Sequence, residues 1–289
     1  MKRRIKDSKD GVVGIVTAFL IVGLIVAVVS VIQTVYIPKW MEQQEADHME
    51  EVGNQFAQLK YAIGQHILTK EAGIPISTSI TLGSKELPFL MSSRAFGSVS
   101  IIPDQCNITI KNVSGTNVFS SLVGIIKYSS ANAYYLDQDY IYEAGAVIIN
   151  QEQGNTMAIK PNFIVSNEES ISISFTITNI SVVAGKSSIA GYGTYPIQTE
   201  FADYDNSLIQ NISKITIDTR YQNAWHIFLN TTLRNQGLNY AGYGTDYTIT
   251  LNESGVTVQF IGSSKVNLDL KIIKINAQVA PGWIENVKG

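Results

Sequence analysis

The chain has 289 residues, 45% of them hydrophobic and 16% charged, with a net charge of −3. That length admits one large domain or two ordinary ones, each with a full core. The mildly acidic balance excludes the electrostatic footprint of a nucleic-acid binder, and a single cysteine, Cys106, excludes an intrachain disulfide and a thiolate metal cluster.

Residues 1–10 form a basic leader. Lys2, Arg3, Arg4, Lys6 and Lys9 stand against Asp7 and Asp10, a net +3, which leaves −6 on the remainder. From Gly11 to Ile32, 22 residues run with only Thr17 and Ser30 as polar side chains, and at ~1.5 Å per residue they make roughly 33 Å of helix. That length crosses a ~30 Å hydrocarbon layer. Both hydroxyls are able to bond back to the preceding turn. Tyr36 and Trp40 follow, where amphipathic rings prefer the headgroup zone. A cleaved secretory signal has a shorter apolar core and a small-residue cleavage site, unlike Tyr36-Ile37-Pro38-Lys39-Trp40. The pattern predicts a retained transmembrane helix over 11–37, in contact with membrane lipid. The positive-inside rule puts the N-terminus in the cytoplasm and the rest outside the cell.

Pro38 predicts a kink or restart. Beyond it Met49, Val52, Phe56, Leu59, Ile63 and Ile67 recur at helical spacing, with Glu45, Asp47, Glu50, Glu51, Gln55 and Gln58 off the stripe. This predicts an amphipathic extension over 38–74, ended by Gly73 and Pro75. Its apolar face suits either partner subunits or the chain's own β domain. His48 and His66, 18 residues apart, read as packed or solvated residues and not as metal ligands.

From 75 to 289 the period is two. Strands are expected at 77–82, 98–102, 107–111, 146–150, 170–177, 212–218, 246–251, 255–260 and 265–275, each rich in Ile, Val, Thr, Phe or Tyr between turn residues. The fold class is therefore mainly β, a sandwich-type domain behind a long N-terminal α-helix. The tyrosine-rich stretch 119–143 fits a strand pair or an ordered loop. Ala190-Gly191-Tyr192-Gly193-Thr194 recurs as Ala241-Gly242-Tyr243-Gly244-Thr245, and Asn179-Ile180-Ser181 aligns with Asn230-Thr231-Thr232 at the same offset of 51, which suggests a repeated strand–turn–strand unit.

Glycosylation acceptors Asn-X-Ser/Thr stand at Asn107, Asn112, Asn179, Asn211, Asn230 and Asn252, all on the side expected to be outside. Nothing reads as catalytic. His226, in Ala224-Trp225-His226-Ile227-Phe228, alternates like a strand residue, and no G-x-S-x-G elbow is present. Asp137, Asp139, Glu143, Asp203 and Asp205 read as solvated turn carboxylates, and neither acidic pair forms an EF-hand loop. No enzyme activity, cofactor or metal is expected.

Lys9-Asp10-Gly11 before Val12-Val13-Gly14-Ile15, the uninterrupted apolar helix and the Glu45–Ile67 extension resemble the type IV pilin superfamily, and in detail archaeal pilin-like and archaellin-like surface proteins with a class III signal peptide. Tyr142–Asn150 and Ser170–Thr194 look like β domains that accompany such helices. The resemblance implies cleavage by a membrane leader peptidase in the region of Asp10, Gly11 and Val12. It also implies like subunits as partners through the helix, in a surface filament or around an anchor. Many pilins carry Glu at the fifth mature position; cleavage after Asp10 or Gly11 puts Ile15 or Val16 there. Small residues Gly14, Ala18, Gly23 and Ala27 suit close helix packing. The reading is a non-enzymatic pilin-like or adhesive surface protein. The alternative is a membrane-tethered module that binds an extracellular ligand, such as a surface glycan, and forms no filament.

Overall fold

A computed structural model describes residues 7–85, 95–183, 187–239, 246–261 and 265–279, with side chains from residue 13 onward. A rod of helix leads the chain: α1 (Asp7–Val31), a π-helical turn (Ile32–Tyr36) and α2 (Ile37–Thr69). The widened turn stands where a break is expected. Pro38 has no N–H to give the preceding turn, and its ring crowds the carbonyl four residues back. A π-turn opens that register without ending the helix, and Ile37 N–H donates to Ile32 O across it. In α1, Thr17 Oγ1 and Ser30 Oγ donate to the carbonyls of Val13 and Val26, at 2.9 and 2.8 Å. α2 ends at Thr69, four residues before Gly73, and is capped by Lys70, whose φ of +53° is left-handed and whose N–H closes on His66 O.

The two halves of the rod differ in what they touch. Every residue of 13–31 is exposed, with Phe19 at 74%. In α2, Met49, Val52, Phe56, Leu59 and Ile63 are buried and Ile67 is half-buried, so the stripe packs on the chain's own β domain.

Among the described residues fourteen strands follow: β1 (Ile76–Thr81), β2 (Phe96–Asn112), β3 (Asn117–Ala131), β4 (Asp139–Glu143), β5 (Ala146–Gln151), β6 (Gly154–Ile159), β7 (Asn162–Asn167), β8 (Ile171–Val182), β9 (Ser188–Gly191), β10 (Thr194–Ile209), β11 (Ile212–Asp218), β12 (Tyr247–Asn252), β13 (Gly255–Phe260) and β14 (Val266–Val279). One sheet has the order β1-β10-β14-β8-β7, with β14 and β8 parallel. The other runs β12-β13-β11-β2-β3-β4-β5-β6, with β9 added beside β2. The stretch 119–143 is a strand pair, with Ile125 opposite Glu143 and Ser129 opposite Asp139.

A third helix, α3 (Gln222–Asn235), departs from the all-β expectation and carries His226. Five residues of alternation fit a strand and a helix equally; Ala224, Trp225, Phe228, Leu229 and Leu233 are the buried face, at helical spacing. The expected internal repeat does not survive as a structural unit: Asn179 lies in β8 while Asn230 lies in α3. The second Gly-Tyr-Gly segment lies outside the described residues. The first forms the turn between β9 and β10, where Gly191 has φ +154°.

The strands serve two apolar cores. One lies under α2 and includes Val99, Ile126, Tyr128, Tyr140, Tyr142, Ile197 and Ile275. The other joins both sheets to α3 through Ile108, Ile125, Ile141, Phe175, Trp225, Leu268 and Tyr247. Long strands change face to reach both. β2 does so across the irregular stretch between Ile102 and Cys106, where Asp104 has φ +55°; β14 does so between Ile272 and Ile273.

Candidate functional site

Three places collect chemistry-bearing side chains, and two lie along α2. On its inner side Glu45, placed off the apolar stripe by spacing alone, is fully buried. Its Oε1 accepts from Ala133 N–H at 3.0 Å and its Oε2 from the N–H groups of Tyr134 and Tyr135 at 2.7 and 2.6 Å. A carboxylate taking three backbone donors ties the β3–β4 loop to the helix. Asp137 in that loop caps Asn132 N–H at 2.7 Å, and Asp139 pairs with Lys127 at 2.9 Å.

His48 and His66 are packed, as expected. His48 Nε2 lies 3.1 Å from the Tyr128 hydroxyl, which donates onward to Leu82 O. His66 Nε2–H donates to Thr199 O at 3.0 Å. Burial pushes both imidazoles below their ordinary pKa of 6.5. The Leu82 carbonyl with Glu51 and Glu45 opposes this at His48, and the Thr199 carbonyl with Glu200 opposes it at His66.

On the other side of α2 an apolar groove of about 580 Å³ runs between Ala57, Tyr61, Gly64 and Leu68 on the helix and Ile159, Pro161 and Thr178 on the sheets. Tyr61 and Leu68 stand at its rim, largely exposed. Lys60 reaches in; its Nζ donates to Gly145 O at 2.8 Å and to Lys160 O, and burial pushes its pKa down to about 8. The ammonium is held by the chain's own carbonyls. No feature of the sequence distinguishes Lys60 from a surface lysine, since its acceptors are brought to it from 85 and 100 residues away.

The third place is Glu143, expected in a solvated turn and found buried at the end of β4. Trp225 Nε1–H donates to it at 2.7 Å and Thr219 Oγ1–H at 2.8 Å, and burial pushes its pKa up to about 7 against those two donors. A cavity of about 70 Å³ beside it is lined by Gln105, Lys127, Arg220 and Tyr221. That volume holds a water or two. The signal for this residue was a lone carboxylate inside the apolar run Tyr140–Ile149. Glu143 locks α3 to the sheet, and the cavity beside it is of water size.

The remaining expected sites are scattered. Asp203 and Asp205 lie in β10 and not in a turn; both are exposed, and Asp203 pairs with Lys274 at 2.9 Å, which holds its carboxyl below the usual range. His226 is half-exposed on α3. Among the described residues no three His, Cys, Asp or Glu side chains gather as a metal site. Cys106 is fully buried in a strand. Asp10, Gly11 and Val12 lie in the opening turns of α1, which begins at Asp7. The six acceptor asparagines fall on β2 (Asn107, Asn112), β8 (Asn179), the β10–β11 link (Asn211), α3 (Asn230) and the end of β12 (Asn252).

Among the described residues one helix, Val13–Thr69, is long and apolar enough to cross a membrane. No curated protein and no solved structure matches this chain. The sequence profile of a family of unknown function (DUF7289) matches residues 11–260, and the chain belongs to that family.

Proposed function

We propose that this protein is a non-enzymatic, pilin-like surface subunit, held in the membrane by α1 and presenting the β domain outside the cell. One observation carries the reading. A single helical rod is apolar around its whole circumference up to Val31 and then keeps one apolar face, which the β domain covers. Such a rod needs an apolar environment on every side of its first half, supplied by lipid or by the same helix from other copies. Gly14 and Gly23 leave open space where a side chain would stand, which lets a second helix approach closely. The leader charges put the N-terminus in the cytoplasm by the positive-inside rule.

The test is the N-terminus of the mature protein, read by mass spectrometry on chain recovered from its native type of host. A start at Gly11 or Val12 supports peptidase processing and the pilin-like reading. An intact Met1 or Lys2 removes the filament and leaves an anchored module, and a start beyond Tyr36 ends the anchor.

A second reading has its own support in the groove along α2. Its volume of about 580 Å³ is that of a small-ligand site, so a tethered binding module that forms no filament is the alternative. Cross-linking through cysteines placed in 13–31 separates the two: the filament requires ladders of copies, the module runs as a monomer.

A further inference from the structure

The six acceptor asparagines are not equivalent once folded. Asn179 clamps two strands: its Nδ2 donates to Leu122 O at 3.1 Å and its Oδ1 accepts from Gly124 N–H at 3.0 Å. The strands touch there, since a Cβ on Gly124 would stand 2.1 Å from Ile180 O. Nδ2 there is committed to the β3 backbone, which a sugar on it would crowd. Asn107 Nδ2 points at Asp218 Oδ2 across a central ladder, at 3.4 Å. Asn112 Oδ1 shapes the β2–β3 turn, accepting from Ser114 Oγ and Thr116 N–H at 2.7 and 3.0 Å. Asn230 sits within α3 and accepts from the Tyr247 hydroxyl at 2.7 Å.

All four are half-buried, two held at Nδ2 and two at Oδ1, and Asn211 and Asn252 differ from them. Both are exposed, and neither side-chain amide has a hydrogen-bond partner among the described residues. Asn211 stands at φ +55° in the two-residue link from β10 to β11, a conformation that Asn tolerates better than most residues. Asn252 ends β12 in the tight turn to Gly255. The two turns flank opposite ends of β11, and neither lines the α2 groove.

We propose that Asn211 and Asn252 carry N-linked glycans and that the other four acceptors do not. The inference rests on the reading that residues beyond 36 lie outside the membrane. An export-side oligosaccharyltransferase takes the glycan from a polyprenyl-phosphate-linked donor. The bond from sugar C1 to the phosphate oxygen breaks, and its electron pair stays on the phosphate. The asparagine Nδ2 forms the new bond to C1 and loses one proton to an enzyme base. The sugars then cover the turns around β11 and leave the helical rod and its groove bare for contact with other copies.

The experiment uses the full chain, produced in cells that N-glycosylate a second, known acceptor protein measured alongside. Glycopeptide mass spectrometry is expected to find sugar at Asn211 and Asn252 only. Ser254→Ala, which keeps the backbone carbonyl that binds Thr219 N–H, removes one glycan mass, Asn211→Asp removes the other, and the double variant runs at the bare protein mass. Topology is read separately with Glu168→Cys, an exposed position, and a membrane-impermeant maleimide on intact cells; Cys106 is buried and silent. Labelled cells with sugar at any of Asn107, Asn112, Asn179 and Asn230, or lacking it at Asn211 or Asn252, overturn the glycan assignment and leave the topology standing. Unlabelled cells overturn the topology and the glycan assignment with it.

Discussion

Residues 13–36 and 37–69 share one helical backbone and differ in what surrounds them. The first half is apolar around its circumference and exposed as far as Val31; the second alternates an apolar stripe with carboxylates and amides and is half-covered by strands. Helical geometry is indifferent to this choice. The distribution of apolar side chains around the axis decides it, because a helix with one apolar face is satisfied by one surface and a helix apolar all round needs an apolar medium.

The largest test of that contrast is deletion of residues 1–36. The shortened chain is expected in the soluble fraction with α2 still docked, whereas the full chain sediments with membranes. A shortened chain that stays with membranes, or loses helical circular dichroism beyond the share of α1, breaks the comparison.

Next come matched truncations. Phe56→Ala, in the covered half, is expected to cost about 3–5 kcal/mol by urea unfolding of the β domain, whereas Leu24→Ala in the bare half stays within about 0.5 kcal/mol. Equal effects refute the division. Glu45→Gln keeps the size of the side chain but removes the charge that three backbone N–H groups address. We expect about 1–3 kcal/mol of destabilisation, with faster proteolytic nicking in the Asn132–Asp137 loop as its local signature.

The smallest expected effect is on pH dependence. His48 and His66 are lowered below 6.5, so their contribution is complete above that pH and is lost as acid protonates the unfolded chain first. Glu143, raised from 4.5 to about 7, contributes fully below pH 4.5 and loses that contribution as pH rises through 7. The two slopes oppose each other between pH 5 and 7. Glu143→Gln removes one, so that variant is expected to lose more stability than the parent between pH 7 and 5; a smaller loss contradicts the assignment.

Much of the fold was legible, for reasons particular to each element. The apolar rod is long enough that no short-range ambiguity arises, and the stripe from Met49 to Ile67 repeats often enough to separate a period of 3.6 from one of two. α3 was missed because Ala224–Phe228 is too short a window to separate them. β10, β9, β7 and β6 were missed because mixed polar content hides alternation on strands at sheet edges or with one side in solvent. Among the site residues, Glu143 reads as solvated and Glu45 only as off the apolar stripe, because composition gives no sign of the donors that fold onto them.

The sequence by itself determined the unbroken apolar span, the amphipathic half that follows, a disturbance of the helix near Pro38 and the β character of the rest, since each depends on local periodicity and backbone chemistry. Only the tertiary structure decided which surface covers α2, that Glu45, Lys60 and Glu143 are held by partners at least 76 residues away, and which acceptor asparagines remain free. Those outcomes depend on strand order and face changes, which bring distant backbone groups together and leave no trace in any short stretch of chain.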